Sequence, residues 1–168
     1  MTMEYIYTER AHIMWPDMNF GIAEVLDRTF DADRIKEVMR KLAAAHPFLC
    51  ALLGYQKENN TFIYDITDGS RTEIIIESGE VSGIDDPRVM AEYERLTGYE
   101  WNLFEEGMLK AAVWKTGDRT CVLLVFHHLL ADGRGALGLA KELADCYVED
   151  IEPESAPRRI DFLQSRFP

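Results

Sequence analysis

Apolar and polar positions change period several times along the chain, and each change marks an element. Over residues 20–25 the apolar Phe20, Ile22 and Val25 sit among small or polar neighbours and Asp27-Arg28-Thr29 closes the run, which predicts a strand. From Ile35 the period lengthens. Ile35, Val38, Met39, Leu42 and Ala43 recur at helical spacing, leaving Arg34, Lys36, Glu37, Arg40 and Lys41 outside. Asp31 or Asp33 caps this helix and Pro47 ends it, because the residue before a proline is pushed out of helical geometry. Runs at 48–55, 61–66 and 73–76 read as short strands in a meander, separated by the turn formers Glu58-Asn59-Asn60 and Asp68-Gly69-Ser70. Asp86-Pro87 opens a second helix that Gly98 closes, and 109–115 with 120–126 predict a hairpin around Gly117-Asp118. A last helix is predicted over 135–148, its inward stripe formed by Ala136, Leu137, Ala140, Leu143, Ala144 and Tyr147. The acidic, proline-bearing stretch after it reads as a linker.

This order predicts an α/β (α+β) fold, a mixed β-sheet flanked by helices. One lobe is expected over 1–148, with a linker or tail over 149–168. A length of 168 residues suits a single domain with a real core, and 47% apolar against 29% charged residues is the composition of a folded chain. The net charge of −12, with no run rich in Lys or Arg, argues against nucleic acid and against anionic membrane surfaces as partners. Apolar runs such as 121–126 fall far short of the roughly 20 residues that span a bilayer. Residues 1–5 lack the basic-then-apolar layout of a secretory signal, so a cytoplasmic location is expected. Cys50, Cys121 and Cys146 are widely spaced in apolar sequence and read as reduced core thiols, with no CxxC to suggest a metal.

Reactive groups concentrate in one stretch, Phe126-His127-His128-Leu129-Leu130-Ala131-Asp132-Gly133-Arg134-Gly135. The strand before it is apolar at every position, which predicts a central strand covered on both faces. Alternation sends His127 and His128 to opposite faces, so they do not converge on one metal ion and no metal is expected. One histidine is instead held by its neighbours while the other faces a pocket as general base, imidazole being the side chain whose ordinary pKa lies nearest neutrality. Asp132 either caps the last helix or fixes the loop through a cation, and Gly133 and Gly135 permit a sharp strand-to-helix turn. The plainer alternative makes both histidines satisfied core residues and Asp132 a cap only.

The run His127-His128-Leu129-Leu130-Ala131-Asp132-Gly133 resembles the HHxxxDG motif of the condensation-domain superfamily, chloramphenicol-acetyltransferase-like acyltransferases that include alcohol acyltransferases and nonribosomal peptide condensation domains. Residues 101–109 resemble the family's loop before the hairpin, and 35–49 its first helix and the His-Pro segment that follows. The resemblance implies one lobe of that fold. It also implies that His128 positions or deprotonates an acceptor attacking a thioester, that His127 and Asp132 complete the motif with Asp132 structural, and that Gly133 leaves room for substrate. The donor so implied is an acyl-CoA or a phosphopantetheinyl thioester on a carrier protein, a substrate and not a bound cofactor. Cys50 stands where peptide-synthetase members have an arginine that pairs with the motif aspartate, and Arg134 or Arg40 are candidates to replace it. Asp132-Gly133-Arg134-Gly135-Ala136 looks more like stand-alone acyltransferases, which favours a small alcohol or amine acceptor. The resemblance covers only the family's amino-terminal half, without the later DFGWG-like motif, so self-association or pairing with a second lobe is expected. Two other readings remain: a catalytically silent lobe that binds a partner or small ligand, and a glycerolipid-type acyltransferase using the HxxxxD spacing of His127 and Asp132.

Overall fold

The computed structural model describes residues 2–6, 10–13, 15, 17–66 and 71–154. The elements are β1 (Thr2–Tyr5), α1 (Arg10–Ile13), β2 (Asn19–Leu26), α2 (Ala32–Ala45), β3 (Ala51–Gln56), β4 (Thr61–Ile66), β5 (Glu73–Glu80), α3 (Pro87–Thr97), β6 (Leu109–Thr116), β7 (Arg119–His127) and α4 (Gly133–Glu149). Asp68-Gly69-Ser70 and residues 155–168 of the expected tail lie outside the described residues.

Two sheets share one core. The smaller has the order β1-β4-β3, and the larger, β2-β7-β6-β5, is mixed: β7 is antiparallel to β2 and β6, while β5 runs parallel to β6. The meander expected over the three middle strands is therefore not formed. Only β3 and β4 make a hairpin; β5 leaves it for the far edge of the other sheet. Residues 48–50, expected in the strand, belong to a 3₁₀ turn over Pro47–Cys50. The proline fixes a helical φ there, and Phe48, Leu49 and Cys50 are all buried, which period-two alternation would not allow.

β7 is the central strand, and Cys121 through Phe126 have no solvent exposure. Burial on both faces follows from two contacts of opposite parity. Thr120 Oγ1 meets Tyr147 Oη of α4 at 3.0 Å, whereas Leu123 lies beside Gly21, whose α-carbon faces Tyr93 of α3. Helices α3 and α4 thus cover opposite faces. Each buried Val or Leu of this strand stabilises the fold by about 1.5–3 kcal/mol.

The two long helices begin as the sequence predicts. Asp31 Oδ1 accepts from the backbone N–H of Asp33 and Arg34 at 3.0 Å, capping α2. The stripe Ile35, Val38, Met39, Leu42 and Ala43 is buried. In α4 the expected inward stripe includes Leu137, but that side chain is 62% exposed, and Leu139 takes the inward position. Residues 149–154 keep contacts with α2 and α4. Glu149 belongs to α4, Asp150 takes a left-handed conformation (φ 58°), and Arg34 donates to the carbonyls of Tyr147 and Cys146 and to the Asp150 carboxylate. Lys41 pairs with Glu152, and the Glu154 N–H donates to Glu142. Among the described residues no helix is long and apolar enough to cross a membrane.

Candidate active site

The corner where β7 gives way to α4 is built from four directions. β2 fixes its first side: Asn19 pairs with His127 and Phe20 with Phe126. The backbone N–H of His128 then donates to the Met18 carbonyl at 2.9 Å. The second side is the segment before β6, where the His127 N–H donates to the Met108 carbonyl at 3.0 Å. Gly107 lets this segment pass close to Arg71, because a β-carbon there would stand 2.1 Å from the Arg71 carbonyl oxygen. The small sheet supplies the third contact, with Tyr64 Oη donating to the Leu129 carbonyl at 2.7 Å. Asp132 closes the fourth side as the N-cap of α4, its Oδ1 accepting from the Gly135 N–H at 2.7 Å.

The two histidines face different surroundings. His127 has no exposure, its Nδ1 accepts from the Leu129 N–H at 3.0 Å, and its ring lies 6.3 Å from that of Trp101. Accepting at Nδ1 leaves the proton of the neutral ring on Nε2. Burial pushes His127 down to about 4; the Trp15 backbone opposes this, and His12 and His128 add to it. The ring is neutral at physiological pH. Trp101 is itself fixed behind it, donating from Nε1 to the Leu96 carbonyl at 3.3 Å, with the Lys110 ammonium 5.2 Å from its ring. Lys110 is buried between Glu73 at 2.9 Å and Glu106 at 2.7 Å.

His128 is half-buried and lies 4.5 Å, ring to ring, from Phe20. Burial lowers its pKa, His12 lowers it further, and Asp132 opposes both. The group is therefore a neutral imidazole with part of its surface open, which is the form that accepts a proton. At the exposed start of α4, a β-carbon placed on Gly133 would meet nothing within 4 Å. The glycine leaves open space at the corner. Neither Gly133 nor Gly135 has positive φ, so the turn does not require the conformational freedom expected of them.

Arg40 pairs with Glu37 on α2, and Arg134 lies exposed in the first turn of α4. The three cysteines are free and buried. Trp101 and Trp114 are packed inside, but Trp15 is 61% exposed. Among the described residues no group of three or more His, Cys, Asp or Glu is gathered as a metal site requires.

His12 lies far from the motif in sequence, yet its ring lies 5.5 Å from that of His128. Sequence reasoning also passes over Tyr64 and Phe20 as parts of this corner. Helix α1 has only four residues and carries no amphipathic period to reveal it, and the β2–β7 register that places Phe20 is a long-range pairing. A tyrosine in an alternating strand gives no sign of which carbonyl its hydroxyl will meet.

Comparison with known proteins follows the same outline. A family model described as the condensation domain matches residues 19–164, and no curated protein matches the chain. Among solved structures, the condensation domain from Monacolin K polyketide synthase MokA is similar at a TM-score of 0.72 and 10% identity, over 93% of this chain and 36% of that one. The first condensation domain of the calcium-dependent antibiotic synthetase, in complex with a substrate analogue, gives 0.67 and 17%, over 93% and 40%. The starter condensation domain of rhizomide synthetase RzmA, a variant in complex with C8-CoA, gives 0.67 and 14%, over 93% and 38%. The chain thus spans between 36% and 40% of the length of these structures.

Proposed function

The chain belongs to the condensation-domain family, its described residues forming one lobe of that chloramphenicol-acetyltransferase-like fold, and on this premise we propose that it serves acyl transfer from a thioester to an amine or hydroxyl. The observation that carries the reading is the His128 ring, part-exposed and with its pKa lowered by burial, at the corner where β7 meets α4. In the proposed reaction His128 takes the acceptor's proton as its nitrogen or oxygen attacks the thioester carbonyl. The tetrahedral intermediate expels the thiolate as the carbon–sulfur bond breaks, and the imidazolium returns the proton to sulfur. A thioester is already activated, so holding the reactants together supplies much of the remaining barrier reduction.

The donor is an acyl-CoA or a phosphopantetheinyl thioester on a carrier protein, and the acceptor a small amine or alcohol. A second lobe completes the site. Two exposed apolar side chains support this: Trp15, whose backbone neighbours His127, and Leu137 in the second turn of α4. The soluble, acidic lobe is expected to act in the cytoplasm.

The test is acceptor-dependent thiol release from octanoyl-CoA and from an acyl-pantetheine, with light scattering run on the same samples. His128→Gln should remove turnover by about 100-fold or more. Turnover that survives in His128→Gln but is lost in His127→Gln would move the reaction to the His127–Asp132 pair. No turnover with any acceptor, in a chain that still binds the thioester, would make this a silent binding lobe.

A further inference from the structure

His12 has no part in the reaction as proposed, yet its imidazole, brought from a distant segment, lies close to that of His128. Its ring comes from α1, 5.5 Å away and tilted 45°, while Phe20 of β2 approaches at 4.5 Å and 33°. The His12 Nδ1 is buried and meets no hydrogen-bond partner among the described residues. The groups facing His128 can be named element by element. α1 offers His12, β2 the apolar Phe20, the start of α4 offers Asp132, and β7 offers buried His127. Asp17, just before β2, acts on His127. Only His12 and Asp132 act electrostatically on His128, and they act in opposite senses.

We propose that His12 is a positioning residue for His128, holding that ring against Phe20 and resisting a second positive charge beside it. Two like charges at this separation in a partly desolvated corner resist each other. A packing contact alone would have no such consequence, because a neutral ring of similar shape would serve as well.

This inference rests on the role given to His128 only for its kinetic readout; the titration stands without it. The imidazole Cε1–Hε1 signals of the full 168-residue chain are followed by NMR against pH, the His128 signal being assigned by its loss in His128→Gln. Three replacements of His12 are compared, with phenylalanine (a ring without charge), glutamine (neither), and lysine (a permanent charge). His128 should titrate at higher pH in His12→Phe and His12→Gln and at lower pH in His12→Lys. At the pH where His128 is half-protonated in the unaltered chain, the two uncharged variants should hold about twofold less neutral imidazole, and the acid limb of kcat should move with it. If either uncharged variant fails to fold, the other carries the comparison with His12→Lys. Unmoved His128 titration, or displacement in the same direction by charged and uncharged replacements, overturns the proposal. Displacement in opposite directions without any turnover keeps the pair and sinks acyl transfer; turnover dependent on His128 with unmoved titration does the reverse.

Discussion

Replacing Glu24 with glutamine should make the chain lose stability more steeply in mild acid than the unaltered protein does. Two buried groups set this expectation and act in opposite senses. Burial depresses His127 from 6.5 to about 4, so above pH 6.5 the ring is neutral in folded and unfolded chains alike. As pH falls from 6.5 towards 4, the unfolded chain takes up a proton that the folded chain refuses, and stability is lost. At roughly 1.4 kcal/mol per pH unit, that depression is worth about 3 kcal/mol. Glu24 of β2 runs the other way, since burial raises its carboxyl from 4.5 to about 7 and its buried Oε1 meets no hydrogen-bond partner among the described residues. Its penalty on the folded state is present above pH 7 and disappears as pH falls from 7 to 4.5. The same conversion would give about 3 kcal/mol, but Glu24 keeps part of its contact with water, which reduces this to about 1–2 kcal/mol. His127, with no exposure, therefore dominates. The unaltered chain should lose about 1–2 kcal/mol between about pH 8 and pH 4.5, and Glu24→Gln about 3 kcal/mol. The two proteins should be equally stable near pH 4.5, where both side chains are uncharged, with the variant ahead at about pH 8. Urea unfolding followed by tryptophan fluorescence across this window reads both curves, and other titrating groups displace them equally. Parallel curves, or an unaltered chain that gains stability towards pH 4.5, would refute the reasoning.

Removing the cap of α4 in Asp132→Ala should cost about 1 kcal/mol while Asp132→Asn stays close to the unaltered chain, as read by thermal melting. Equal melting of all three would show that the Gly135 hydrogen bond contributes nothing. Gly107→Ala should destabilise by about 1–3 kcal/mol in urea titration, because its new β-carbon would collide with the Arg71 carbonyl and displace the segment behind His127. Burial lifts the Cys121 thiol to about 11, and Cys50 and Cys146 are also enclosed, so a disulfide reagent at about pH 8 should label no cysteine in the folded chain and all three in urea. Prompt labelling of Cys121 without denaturant would contradict the closed packing of β7.

Much of this protein was legible before any coordinates, and for local reasons. Capping aspartates, proline positions and the Ile35-to-Ala43 stripe are short-range signals, and α2, α3 and the β6–β7 hairpin lie where they point. The unbroken apolar run of β7 implied a strand without a wet face, which made two histidines at its end conspicuous. Alternation then assigned them to opposite sides, and they do occupy different environments, one enclosed against Trp101 and one beside Phe20.

What the sequence left open depends on which distant segments meet. Nothing in Glu73-Ile74-Ile75-Ile76 says that it will run parallel to Lys110-Ala111-Ala112-Val113 instead of continuing the β3–β4 hairpin, because strand propensity does not choose a partner. The antiparallel register of β2 with β7 brings Phe20 against His128, and α1 brings His12 within 5.5 Å of it. Local composition determined where the paired imidazoles would stand along the chain; long-range packing decided that His128 would be half-buried and faced by His12. The physical reason is that solvation and charge repulsion depend on distance in space, which a linear pattern of residues does not contain.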